Sequence, residues 1–100
     1  GRQMASLAVL ADELFTLCRR RCGGEERFLA ECGMPPGEHL VILRLKGNLQ
    51  GENPLEQPED EERWAVDFIR ENADRVLFEH GDSLDILTVV KRLNEKGETT

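Results

Sequence analysis

His39-Leu40-Val41-Ile42-Leu43-Arg44-Leu45 is the stretch on which the reading of the fold turns. Its four consecutive aliphatic residues suit either a strand buried on both faces or a buried helix. Pro35 and Pro36 stand shortly before it, where proline is compatible with a helix start. A single strand, by contrast, needs partners to pair with. No other segment reads as a strand, so residues 39–45 are assigned to a helix and the chain is expected to be all-α.

Towards the N-terminus, Ala5–Cys22 carries Leu7, Leu10, Ala11, Leu14, Leu17 and Cys18 at helical spacing, a single apolar stripe that Val9 and Phe15 widen. Arg19, Arg20 and Arg21 fall in its last turn, where cations complement the helix dipole, and Gly23-Gly24 stops it. Glu25–Cys32 reads as a short second helix with Phe28 and Leu29 facing inward, ended by Gly33-Met34-Pro35-Pro36-Gly37.

Towards the C-terminus, Gly47–Pro58 is an acidic loop rich in proline and glycine. Asp60–Glu79 then reads as a long helix with an inner face of Trp64, Ala65, Phe68, Ile69, Val76 and Leu77. Gly81 ends it, and Asp82 or Ser83 caps a last helix. Ile86, Leu87, Val89, Val90 and Leu93 form its inner face, and Lys91, Arg92, Lys96 and Gly97 close it. The expected architecture is a compact all-α bundle of four to five helices, one domain over residues 1–100. Gly1-Arg2-Gln3 ahead of Met4 reads as a cloning remnant.

A chain of 100 residues with 39% hydrophobic and 33% charged residues has the composition of one globular domain. No apolar run is long enough to span a bilayer. The charge is uneven. Residues 1–50 hold seven Lys/Arg against six Asp/Glu, and residues 51–100 hold six against fourteen, so the net −7 comes from the second half. That balance disfavours duplex wrapping and anionic membranes, and favours protein partners. Three cysteines, an odd number without a secretory leader, suggest reduced thiols and a cytoplasmic location.

Cys18, Cys22, Cys32 and His39 are nominally a zinc ligand set, but the close pairs of a zinc loop are missing and Cys18 lies on the apolar stripe. No metal and no cofactor are expected. His39 and His80 have no nucleophile beside them in a recognisable elbow, Ser83 is better explained as a cap, and no glycine-rich phosphate loop occurs, so no catalytic residue is assigned and an enzyme is not expected. Residues 27–45 resemble a degenerate helix-turn-helix, which implies DNA binding as an alternative function. Its register is imperfect: Ala30 stands three residues before Gly33, and the recognition helix would offer only His39, Arg44 and Lys46 to bases.

The favoured function is a small regulatory or adaptor protein that acts by binding a partner protein, itself a homodimer. Phe15, Trp64, Phe68 and Phe78 are the expected apolar contacts. Glu59, Asp60, Glu61 and Glu62 form an expected acidic rim that steers a basic partner.

Overall fold

The structure is a computed structural model, and it describes residues 2–22 and 28–93. In chain order the elements are α1 (Arg2–Arg21), β1 (Leu29–Gly33), β2 (Leu40–Gly47), a 3-10 turn (Asp60–Glu62), α2 (Arg63–Asn72), β3 (Arg75–His80) and β4 (Asp85–Arg92). The expected all-α bundle is therefore overturned: among the described residues, two helices cover one face of a four-stranded antiparallel sheet of order β1-β2-β4-β3.

The stretch 39–45 contributes a central strand. β2 pairs with β1 through Cys32↔Leu43 and with β4 through Leu43↔Val89. Its side chains alternate, with Val41, Leu43, Leu45 and Gly47 buried and Arg44 exposed. Its partners come from segments whose pattern predicts helix. Residues 29–33, the end of the expected short helix, are β1, and Glu25–Arg27 lie outside the described residues. The helix-turn-helix of 27–45 is thus a β-hairpin across the described part of that segment. The helix expected over Asp60–Glu79 stops at Asn72, where Ala73 turns to extended backbone and the Asn72 side-chain amide donates to the Phe68 carbonyl. Val76, Leu77 and Phe78 continue as β3. Asp82 and Ser83 cap no helix; they lie in the β3–β4 hairpin, and Asn94–Gly97 lie outside the described residues.

α1 is the element whose periodicity the fold follows. Leu10, Leu14, Leu17, Cys18 and Cys22 are buried, and they meet Val41, Leu43 and Leu45 of β2 and Leu87 and Val89 of β4. On α2 the buried stripe is Val66 and Ile69, with Ala65 and Phe68 half-buried. The stripe is rotated from the expected one, so Val66 goes inside and Trp64 outside. Among the described residues neither helix covers the opposite sheet face, where half-buried Leu40, Ile42, Ile86 and Val90 and exposed Leu77 stand with Arg44, Lys46, Arg75 and Arg92.

The β3–β4 turn is closed by the Gly81 N–H donating to the Leu84 carbonyl at 3.0 Å. A Cβ on Gly81 would lie 2.7 Å from that same oxygen, and this backbone cannot swing aside as a side chain would. Gly81→Ala is expected to cost about 1–3 kcal/mol, read as a lower urea midpoint with an unchanged denaturant slope.

Candidate protein-binding surface

The start of α2 is built around a buried carboxylate. Glu62 is only 4% exposed, a poor position for a charge unless it is fully answered. Arg21, at the end of α1, answers it with Nε at 3.2 Å and Nη2 at 2.8 Å, a two-pronged guanidinium–carboxylate pair. The same Nη2 donates to the Gln57 carbonyl at 3.0 Å, and Arg20 Nε stands 3.5 Å from Glu62 Oε2. Glu62 Oε1 also accepts from the backbone N–H of Glu59, one arm of a capping box. The Arg21 hydrogen bond is the main force holding the Glu62 carboxyl below its ordinary pKa, against burial, which pushes it up. Arg20 and Arg21 at the end of α1 therefore do more than complement its dipole. They fix the entry to α2.

The remaining carboxylates of the expected rim are largely engaged within the chain. Arg20 reaches Glu59 at 3.6 Å and Glu61 at 3.2 Å, and Asp60 pairs with Arg63 at 3.3 Å. These pairs are solvent-exposed and individually weak. Beyond them Trp64 projects outward, 62% exposed, with its indole stacked on Phe68 at 5.4 Å and 17° between planes. Asp67 and Glu71 are exposed on the same helix. The aromatic anchor and its acidic surroundings are thus brought together on α2.

The other two expected contacts lie elsewhere. Phe78 is half-buried on the inner face of β3, packed against the core. Phe15 is 38% exposed, edge-on to Phe28 at 5.2 Å. It borders a mostly apolar groove of about 410 Å³ between α1 and the β1–β2 hairpin, whose lining includes Ala11, Leu14, Ala30, Cys32 and Leu43 together with Asp12 and Glu31.

A buried Asp85 was not singled out from sequence. It is 3% exposed and pairs in register with His80 and Gly47. Its Oδ2 accepts the N–H groups of Leu49 at 2.9 Å and Gly51 at 3.0 Å, and Oδ1 lies 2.5 Å from His80 Nδ1. Gln50 (φ 61°) and Gly51 (φ 70°) take left-handed backbone to present those donors. Burial alone would raise the Asp85 pKa, but the Gly51 N–H, the His80 ring and the Leu49 N–H outweigh it and hold the carboxyl below its ordinary value. An ionised carboxylate only accepts, so Nδ1 carries the proton in this contact. The group serves to pin the loop after β2.

The four nominal zinc ligands do not converge. Cys18 and Cys22 are buried, whereas Cys32 and His39 are exposed. Among the described residues, no three of His, Cys, Asp and Glu come together as a metal site. Burial, then the neighbouring Cys22, pushes the Cys18 thiol up to about 12 against the lowering influence of Arg21. No helix among the described residues is long and apolar enough to cross a membrane. Comparison with protein-family models, with curated proteins and with solved structures gives no match.

Two outcomes follow from this geometry. Both Glu62 and Asp85 have folded pKa values below the ordinary carboxylate value, so their contribution to stability is complete above that value and is lost as pH falls through the folded one. Glu62→Gln is expected to lower stability at pH 7 by roughly 2 kcal/mol and to flatten the acid-unfolding curve as pH falls below the ordinary carboxylate value, measured by urea titration at a series of pH values. In the native protein at dilutions that keep the chain monomeric, a colorimetric thiol reagent should modify Cys32 rapidly and spare Cys18 and Cys22, which react only once denaturant is added.

Proposed function

We propose that this chain is a protein-binding module, a regulatory or adaptor protein whose α2 presents Trp64, ordered on Phe68, to a basic segment of a partner. The observation that carries the reading is the large exposure of Trp64 on a helix whose opposite side is locked into the core. A solvent-facing indole loses apolar surface to a partner on binding, and tryptophan is the side chain most enriched at energetic centres of interfaces. Stacking on Phe68 holds the ring in place before contact, which reduces the entropy lost on docking.

The charge around it favours a cationic partner, but less strongly than the sequence suggests. Residues 59–71 hold six carboxylates against Arg63 and Arg70, and Arg20 and Arg21 reach in to the first of them, leaving a net of −2. Steering at that level changes the association rate and its salt dependence more than the affinity. Glu62 takes no direct part, since its carboxylate is consumed inside the fold.

A homodimer is the second part of the reading. It is supported by the apolar surface away from α2, at Phe15, Leu29 and Met34 around β1.

Affinity capture with wild-type protein and Trp64→Ala, compared by quantitative mass spectrometry, tests the α2 reading. Because Trp64 is largely exposed, the variant should unfold within about 0.5 kcal/mol of wild type. At least one protein should be enriched by wild type and lost from the variant. A captured set indifferent to the substitution would overturn the reading.

A further inference from the structure

The two edges of the sheet are protected unequally. β3 carries Arg75, Glu79 and His80 among its six residues, the charged kind of edge that resists pairing with another chain. β1, Leu29-Ala30-Glu31-Cys32-Gly33, carries only Glu31, whose charge is met by Lys46 at 3.4 Å. All five β1 residues are exposed, and among the described residues no strand pairs with its outer side. In a chain of net charge −7, this is an edge where two copies meet little repulsion.

Side-chain parity supplies the second observation. Ala30 and Cys32 lie on the helix-covered face of β1, opposite Leu45 and Leu43. Met34, one residue past the strand, has the same parity and is 63% exposed. Beside these residues runs the apolar groove bordered by Phe15, Leu14 and Ala11.

Two β1 strands pairing antiparallel about a two-fold axis, with the helices on a common face, can oppose only residues of equal parity. Centring the pair on Glu31 would set two carboxylates directly opposite each other, an unfavourable cross-strand pair. Centring it on Cys32 opposes Glu31 to Gly33 and Met34 to Ala30. The otherwise exposed thioether then enters the groove of the other copy, where a flexible methionine fills irregular apolar space well. We propose that the chain dimerises in this way: β1 adds to β1 of a second copy, Cys32 faces Cys32, and each Met34 seats in the other copy's α1–β1 groove. The proposal rests on the self-association part of the reading above and names its surface.

Opposed residues of an antiparallel pair have Cα atoms about 4.5–5.5 Å apart, inside the span of a disulfide. The test combines sedimentation velocity of the full chain under reducing conditions, across micromolar to millimolar protein, with trapping by diamide. Diamide accepts two electrons and two protons from the pair of thiols as the S–S bond forms, and is itself reduced to the hydrazine. The expected results are a concentration-dependent dimer, rapid Cys32–Cys32 crosslinking mapped by mass spectrometry, and a dimer that persists in Cys32→Ser without crosslinking. Met34→Glu places a carboxylate in an apolar groove beside Asp12, and should weaken dimerisation about tenfold or more without altering the melting of the monomer. A dimer unaffected by Met34→Glu and not crosslinked at Cys32 would overturn this interface while leaving self-association standing. A monomer at every concentration would overturn both.

Discussion

The antiparallel pairing of β2 with β4, from Leu40↔Arg92 to Gly47↔Asp85, is the constraint on which the rest of the molecule depends. It is the seam between two successive α-β-β units, each of which supplies one helix, one edge strand and one central strand. Neither unit has a complete interior. The buried row of Val41, Leu43 and Leu45 is closed laterally by Leu87 and Val89, and the two helices roof both at once. Isolated two-stranded hairpins are marginal in water, and joining them gives a sheet wide enough to carry a core.

Two buried carboxylates sharpen this arrangement. Glu62 ties the end of α1 to the start of α2, and Asp85 ties the exit of β2 to the β3–β4 hairpin. Each is an expensive group made acceptable by multiple donors, and among the described residues no buried side-chain polar atom lacks a partner. The consequence for α2 is that Trp64, two residues after Glu62, projects from a fixed platform. A rigid support that holds an exposed indole in place is what the proposed binding surface requires.

How much of this the sequence carries differs by element. α1 is legible because its apolar residues keep the 3.6 period; it ends at Arg21, and the expected stop at Gly23-Gly24 lies outside the described residues. β4 is not, because both faces carry aliphatics: Leu87 and Val89 point inward, Ile86 and Val90 outward, and no clean alternation survives. Asp82, Ser83, Lys91 and Arg92 happen to imitate helix ends. The β-branched content of Ile86-Leu87-Thr88-Val89-Val90 is the signal that favours a strand there. Once β3 and β4 are taken as helix, 39–45 is left without partners, and one error becomes three. On α2 the pair Trp64 and Phe68 is recognisable by its spacing, whereas the burial of Glu62 depends on Arg21, 41 residues away, and no local pattern encodes it.

The seam also joins the paired strand residues that lie furthest apart along the chain. Gly47 meets Asp85 after 38 intervening steps along the backbone, and Leu40 meets Arg92 after 52, whereas β1–β2 and β3–β4 each close across a short turn. The two hairpins can therefore form on the microsecond scale, while their union waits on closure of a long loop and burial of the shared interior. Until that step each central strand exposes an unsatisfied edge, so the species at greatest risk of intermolecular misassociation is the half-joined chain rather than the unfolded one.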